Sequence, residues 1–210
     1  MLGRGRGVLR RARLGALRAR RVMRRAHGAR RRAAIRSLIP DAVPIRERPA
    51  EAQDRAVPGH WEGDLLMGGT SSAIATLVER RSRYVMLVRL GAKTSEDVVA
   101  ALARQVRTLP REMVRTLTWD RGSELTAHAR FTMATDVKVY FCDPHSPWQR
   151  GSNENTNGLL RQYFPKGMDL SHLSQDDLDA VARELNARPR KTLDYLTPAD
   201  ILAQSVALPG

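Results

Sequence analysis

Three acidic residues interrupt or end apolar segments of this 210-residue sequence: Asp64 in WEGDL, Asp120 in TWDRGSE and Glu154 in NENTNG. An acid beside a hydrophobic core is costly unless a cation neutralises it. Mg²⁺ takes one or two carboxylates together with waters and substrate phosphate oxygens. Two such ions about 3.5–4 Å apart activate the attacking oxygen and stabilise the leaving oxygen in phosphodiester chemistry. The pattern therefore predicts that these three carboxylates are catalytic and hold two Mg²⁺ ions, with Mn²⁺ as the alternative metal.

Each acid also has an ordinary structural explanation. Asp64 fits an acid at a strand edge, and Asp120 before Arg121-Gly122 fits a turn that follows a strand. Glu154 near a helix start interacts favourably with the helix dipole. Their joint placement in one α/β pattern, next to a basic segment, favours the catalytic interpretation.

The residues around Glu154 are suited to contact DNA. Amides can hydrogen-bond to DNA or to water without adding negative charge near substrate phosphates, and Arg161 lies two helical turns after Glu154 on the same helix face. Trp148 at the start of this helix and the basic residues nearby are further candidate contacts, with a solvated surface role as the alternative for the basic residues. The predicted DNA-binding residues are Trp148, Arg150, Asn153, Asn155, Asn157, Arg161 and Lys166.

The elements that must position these residues follow from hydrophobic patterning. HWEGDLLMG, the two halves of SAIATLVERRSRYVMLVRL, VRTLTWD and VKVYFCD predict five strands. Helices are predicted after the third, fourth and fifth strands, and two more close the chain. Three consecutive strands followed by alternating helices and strands predict an α/β fold: a mixed five-stranded sheet with helices on both faces.

Helix starts are also visible in the sequence. Thr94 with Asp97 forms a capping-box pattern, Ser174 caps SQDDLDAVARELNARPR, and Thr197 precedes a proline at the first helical position. A short helix is predicted from Glu124 to Met133, where Glu124 is either a carboxylate supporting Asp120 or an ordinary helix acid.

The formal net charge of +14 is concentrated at one end of the chain. Residues 1–55 hold 17 basic and 4 acidic residues, whereas residues 56–210 hold 19 and 18. We predict a disordered, Arg-rich, low-complexity arm over residues 1–38, an extended proline-rich linker over 39–59 and a catalytic domain over 60–210. A polycationic arm indicates a nucleic-acid partner.

Composition excludes several classes of protein. Cys142 is the single cysteine, so neither a disulfide framework nor a thiolate metal cluster forms within one chain. No apolar run approaches the roughly 18 residues of a membrane span. A cytoplasmic protein without a membrane partner is expected, although the acid-poor arm also has the weak compositional features of an organellar transit peptide.

The segments GHWEGDL, TLTWDRGSE and YFCDPHSPWQRGSNENTNGLLRQYFPKG closely resemble DDE-type bacterial transposases of the family named after insertion sequence thirty. The resemblance runs from about residue 39 to the C-terminus. It implies a ribonuclease-H-like fold shared with retroviral integrases, with the catalytic acids at Asp64, Asp120 and Glu154 and a basic residue at Arg161. It also implies cleavage at the ends of a mobile element, strand transfer of the released 3′-hydroxyl into target DNA, and a homo-oligomer assembled on DNA at the bacterial nucleoid.

The N-terminal segment departs from that family. Its members carry a helix-turn-helix region, whereas residues 1–38 lack paired apolar helices, so autonomous sequence-specific transposition is not expected. Translation of a GC-rich gene from an unintended start or frame is another explanation of this segment. Two alternatives stay open: a ribonuclease-H-like nuclease that hydrolyses without joining, and a truncated, inactive remnant that coats nucleic acid through the basic arm.

Overall fold

The computed structural model describes residues 39–144 and 146–207, apart from the side chains of Asp54 and Pro147. The predicted arm, residues 1–38, lies outside the described residues. The strands are β1 (Val43–Pro44), β2 (His60–Met67), β3 (Ala73–Glu79), β4 (Val85–Arg89), β5 (Thr116–Trp119) and β6 (Lys138–Phe141). They form one mixed sheet in the order β1-β6-β5-β2-β3-β4, antiparallel between β2, β3 and β4 and parallel elsewhere.

Six α-helices and five short 3-10 helices surround this sheet in the described residues. The α-helices are α1 (Glu51–Asp54), α2 (Ser95–Val106), α3 (His128–Thr135), α4 (Gly151–Leu160), α5 (Gln175–Asn186) and α6 (Pro198–Ala207). The 3-10 helices are Ile45–Glu47, Arg111–Met113, Ser123–Leu125, Pro147–Arg150 and Lys191–Leu193. None of the helices in the described residues is both long and apolar enough to cross a membrane.

The sheet has two hydrophobic cores, one on each face. Because side chains alternate along a strand, Trp61 of β2 packs in one core and Leu66 of β2 in the other. Helices α2 and α3 contribute Leu102 and Phe131 to the first core, and α5 contributes Leu178 to the second. This arrangement is the predicted ribonuclease-H-like fold, with a sixth strand that the sequence pattern did not reveal.

The sixth strand corrects the prediction for residues 39–59. Val43 and Pro44 pair with Tyr140 and Phe141 of β6, and Ile45 is buried. The prolines suggested an extended linker, but β1 is the outermost strand, where a residue without an N–H donor is tolerated. The linker prediction is therefore wrong, since this segment is part of the folded domain.

The predicted helix caps are present. The side chains of Thr94 and Ser174 accept hydrogen bonds from the backbone N–H groups of Asp97 and Asp177, three residues into α2 and α5. The helix predicted from Glu124 to Met133 is instead divided between the 3-10 helix at residues 123–125 and α3. Local capping patterns thus locate α2 and α5 better than they locate the shorter, uncapped α3.

Candidate active site

Strand pairing brings Asp64 and Asp120 together. The parallel strands β2 and β5 place Glu62 opposite Thr118. Two residues further along, Asp64 lies in β2 and Asp120 directly follows β5. The guanidinium of Arg150 bridges the two carboxylates: Nη1 lies 3.3 Å from Asp64 Oδ2, and Nη2 lies 3.3 Å from Asp120 Oδ2. Two of the three predicted catalytic acids therefore converge on one cationic group.

Arg150, a predicted DNA contact, is held by acids of its own chain. Nη1 also donates a hydrogen bond of 2.8 Å to the carbonyl oxygen of Gly63, and only 14% of the Arg150 side chain is exposed. Burial alone lowers the pKa of Arg150, but the carboxylates of Asp64 and Asp120 outweigh it and raise the pKa above its ordinary value. In this conformation the guanidinium binds carboxylates of the protein rather than a DNA phosphate.

Asp64 lies in a partly buried environment. Its Oδ1 accepts a hydrogen bond from the backbone N–H of Leu65 at 2.9 Å, and its Oδ2 accepts one from Asn157 Nδ2 at 3.2 Å. Burial raises the pKa of Asp64; the guanidinium of Arg150 opposes this, and the charge of Asp120 adds to it. Because burial penalises the charged carboxylate, a nearby cation stabilises it strongly.

The three asparagines around Glu154 have different environments. Asn157 reaches Asp64, and its buried Oδ1 has no hydrogen-bond partner in the described part of the chain. Asn155 is exposed on α4. Asn153 is fully buried: its backbone N–H donates to Glu62 Oε2, and its side-chain Nδ2 donates to the Glu62 carbonyl oxygen, both at 2.9 Å. The prediction that Asn153 contacts DNA is therefore wrong, because its amide joins α4 to the sheet.

Glu154, the third predicted acid, does not join the other two. It lies exposed on α4, one helical turn before Asn157, and makes no hydrogen bond or ion pair within the described residues. No three His, Cys, Asp or Glu side chains in the described ranges are arranged to hold a metal ion. The single positive charge of Arg150 is shared by two carboxylates, so a third carboxylate placed there without a further cation would add repulsion.

Comparison with known proteins identifies the domain. Residues 54–147, which include Asp64 and Asp120, match the family model described as the integrase core domain. The sequence is 52% identical over 207 residues to the transposase for insertion sequence element IS1086 of Cupriavidus metallidurans, covering 97% of this chain and 60% of that protein. The chain belongs to the DDE-type transposase family named after insertion sequence thirty. Transposase InsI for insertion sequence element IS30A of Escherichia coli is 55% identical over 170 residues, which are 81% of this chain and 44% of that protein.

A more distant member of this transposase family shows the same pattern of coverage. The transposase for insertion sequence element IS4351 of Bacteroides fragilis is 36% identical over 172 residues, covering 81% of this chain and 52% of that protein. The chain thus spans about half the length of these relatives. The Cupriavidus alignment covers 97% of the chain and so includes most of residues 1–38, which counts against translation of that segment from an unintended frame.

Glu124 is a further carboxylate beside the two aspartates of this transposase-family domain. Trp119 Nε1 donates to Glu124 Oε1 at 3.3 Å, and a Cβ at Gly122 would lie 2.1 Å from the same oxygen. Burial raises the pKa of Glu124, and the charges of Asp120 and Asp64 add to this increase. Of the two interpretations left open by the sequence, the structure favours a carboxylate that adjoins Asp120. In the sequence, the only indication of this role was the position of Glu124 four residues after Asp120.

The remaining predicted DNA contacts differ in exposure. Trp148 is 72% exposed, and Lys166 is also exposed. Arg161 is half-buried and donates through Nη1 to the carbonyl oxygen of Phe164 at 3.2 Å. Trp148 and Lys166 are accessible to a DNA strand, and their role stays a prediction.

A second charged cluster on the same face of β2 was missed by the sequence reasoning. Glu62 is fully buried, and its Oε1 lies 3.1 Å from Nη1 of Arg80, which is also buried. Arg48, 8% exposed, donates to Thr118 Oγ1 at 3.0 Å, and burial, aided by the charge of Arg80, lowers the pKa of Arg48 to about 10. The alternation that places Glu62 and Asp64 on one face was the only sequence signal for this cluster.

Proposed function

We propose that this domain catalyses metal-dependent DNA strand cleavage and strand transfer in the transposition of an insertion sequence. The observation that carries the proposal is the convergence of the Asp64 and Asp120 carboxylates on a single cationic group. Family membership supports it, because the relatives are named as transposases and the matched family model is an integrase core.

The residues present fit a divalent cation. Carboxylate oxygens are the hard ligands that Mg²⁺ and Mn²⁺ take, and the two aspartates already share one cation. The buried Oδ1 of Asn157 adds an oxygen without a hydrogen-bond partner next to Asp64. Asp64 and Asp120 would hold a divalent cation where they now lie, and Glu154 would have to approach them to complete the proposed site for two Mg²⁺ ions, or Mn²⁺. When bound, the ions would supply Lewis-acid stabilisation of the attacking and leaving oxygens of a phosphodiester.

The chain's own residues position these groups. The β2–β5 register places Asp64 and Asp120 side by side, and Asn153 anchors α4, which carries Glu154, to β2. Asn155, Asn157, Lys166 and Trp148 would contact the DNA backbone or bases, together with Arg161 at the end of α4. The 3′-hydroxyl released at an element end would then attack target DNA at the same site. We further propose that the protein works as a homo-oligomer on DNA at the bacterial nucleoid.

The experiment uses labelled duplexes that carry the inverted repeats flanking the gene, both intact and pre-cut, with a supercoiled plasmid as target. Wild-type protein is expected to cleave intact ends and to join pre-cut ends only with Mg²⁺ or Mn²⁺, and EDTA is expected to abolish both reactions. Asp64→Asn, Asp120→Asn and Glu154→Gln should each lower the rate by at least about a thousandfold. Glu96→Gln, which removes an exposed acid on α2, is the matched control and should keep wild-type rates.

Two outcomes would contradict the proposal. Hydrolysis of pre-cut ends without a joined product would identify a nuclease. Absence of any Mg²⁺-dependent cleavage, with DNA binding that falls steeply with salt and vanishes when residues 1–38 are deleted, would identify an inactive remnant.

A further inference from the structure

Arg150 stands at the point where the two aspartates meet. Its nitrogens lie 3.3 Å from Asp64 Oδ2 and 3.3 Å from Asp120 Oδ2, and Nη1 donates to the Gly63 carbonyl at 2.8 Å. These are the carboxylate oxygens that the proposed function assigns to a divalent cation. A guanidinium in this place would lie within a few ångströms of that cation, and like charges at such a distance repel even at this partly exposed site, where the Asp64 and Asp120 side chains are 25% and 40% exposed. The two cations therefore compete for the same carboxylates.

The backbone that carries Arg150 is held firmly, so the side chain is the part that can move. Arg150 ends the 3-10 helix Pro147–Arg150. Gln149 fixes this helix to the preceding loop: its Oε1 accepts from the backbone N–H of Asp143 at 2.8 Å, and its Nε2 donates to Asp143 Oδ2 at 3.0 Å. In the same turn, Trp148 is 72% exposed, whereas only 14% of the Arg150 side chain is exposed. Release of the guanidinium from the carboxylates would therefore be a movement of the Arg150 side chain, which shares its turn with the exposed Trp148.

We propose that Arg150 couples cation binding to DNA binding: a divalent cation displaces its guanidinium from Asp64 and Asp120, and the released guanidinium binds a DNA phosphate. This inference rests on the proposed function. The planar guanidinium matches phosphate and carboxylate geometry equally well, so the side chain can exchange one anion for the other. Since linkage is reciprocal, DNA that binds the released Arg150 must raise the affinity for the cation by the same factor by which the cation raises the affinity for DNA. Arg150 is thus a positioning residue that makes each ligand favour the other.

The test measures Mn²⁺ binding to the full chain by electron paramagnetic resonance, with and without a short DNA duplex of arbitrary sequence. Titration of the duplex alone and of the Asp64→Asn/Asp120→Asn protein gives the background from Mn²⁺ bound elsewhere. For wild type, the duplex should tighten Mn²⁺ binding by at least about fivefold. Arg150→Gln should bind Mn²⁺ more tightly than wild type without DNA, and the duplex should change its affinity by less than about twofold.

Arg121→Gln is the matched control. It removes the same charge one residue from Asp120, but the Arg121 guanidinium donates through Nε to the Cys142 carbonyl at 3.1 Å rather than to a carboxylate. The control should retain the wild-type coupling, which separates a specific exchange from a general loss of positive charge. Arg150→Lys keeps the charge without the planar fork and should show coupling between wild type and Arg150→Gln. If Arg150→Gln does not fold, Arg150→Lys alone decides the question.

The outcomes separate this inference from the proposed function. Mn²⁺ binding that requires Asp64 but shows the same response to DNA in wild type and in the Arg150 variants would overturn the coupling alone. Weaker Mn²⁺ binding by Arg150→Gln without DNA would also overturn it, because that variant lacks the competing cation. No Mn²⁺ binding that depends on Asp64 and Asp120 would overturn both proposals.

Discussion

Glu62 and Asp64 lie two residues apart on the same face of β2, yet their carboxylates have opposite environments. Glu62 is fully buried; its Oε2 accepts from the backbone N–H of Asn153 at 2.9 Å, and its Oε1 lies 3.1 Å from Arg80 Nη1. Asp64 is 25% exposed and shares the guanidinium of Arg150 with Asp120. Both acids belong to the integrase-type core, but only Asp64 is partly exposed.

The difference shows how one strand can carry a structural acid and an acid that we propose to be a metal ligand. Glu62 has only buried partners: its Oε2 accepts from Asn153, and its Oε1 pairs with the buried Arg80 without a hydrogen bond. Asp64 is partly exposed, and it shares its cationic partner, the side chain of Arg150, with Asp120. A partly buried carboxylate with a replaceable cationic partner is therefore the better metal ligand, and the fully enclosed carboxylate is the better structural element.

The largest expected effect is at the enclosed acid. Glu62→Gln leaves Arg80 buried without its carboxylate, and breaking such a pair costs about 3–5 kcal/mol. Urea denaturation should show this loss in the free energy of unfolding. Glu154→Gln, which changes an exposed acid of α4, is the control and should stay within about 0.5 kcal/mol of wild type. A loss below about 1 kcal/mol for Glu62→Gln would remove the distinction between the two acids.

The next effect depends on pH and concerns His60, two residues before Glu62 on the same face. His60 is 1% exposed; burial lowers its pKa from 6.5 to about 4, although the Glu51 carboxylate opposes the shift. The unfolded chain therefore binds this proton more readily, and the protein loses up to about 3 kcal/mol of stability as pH falls from 6.5 to about 4.

Denaturation at several pH values checks the prediction for His60. His60→Gln should lose less stability than wild type over this interval, because the titrating group is gone, while the acidic residues titrate alike in both proteins. If the free energy of unfolding changed with pH equally in the two proteins, burial of His60 would not disfavour its charged imidazole.

A smaller effect is expected at Gly63, the residue between the two acids. A Cβ at this position would lie 2.2 Å from Cζ3 of the buried Trp119 ring, so Gly63→Ala must displace a fixed side chain. Overpacking of this kind costs about 1–3 kcal/mol. Gly158→Ala on α4 is the matched control, because its Cβ meets no atom within 4 Å, and alanine there should stabilise the helix by about 0.5–1 kcal/mol. Thermal unfolding of both variants would reveal whether the contact with Trp119 makes the glycine-to-alanine substitution destabilising rather than stabilising.

The smallest effect on stability is expected at Asp64, the proposed metal ligand. Burial raises the pKa of Asp64, so at neutral pH its ionised form is less favourable in the folded than in the unfolded protein. Asp64→Asn removes that penalty, and Arg150 keeps Asp120 and the Gly63 carbonyl as partners. The free energy of unfolding should therefore change by less than about 1 kcal/mol. A loss as large as that expected for Glu62→Gln would show that Asp64 is also a structural acid.

Local sequence patterns predicted much of the fold and only part of the site. The five longer strands and the caps at Thr94 and Ser174 follow from interactions between residues close in the chain. The adjacency of Asp64 and Asp120 depends in addition on the parallel pairing of β2 with β5. The edge strand β1 was not predictable from the proline-rich segment, because its two residues gain their structure only by pairing with β6.

The sequence alone therefore determined an α/β domain with acids at the edge of a sheet and a basic segment before it. Only the tertiary structure decided which polar residue is buried in the core and which lies next to the two aspartates. Asn153 and Asn157 are the same residue four positions apart, but the first bonds to Glu62, 91 positions away, and the second to Asp64, 93 positions away. Arg150 meets Gly63 across 87 positions. Residue type sets what a side chain can bind, whereas these distant contacts set its burial and its partners, and hence its role.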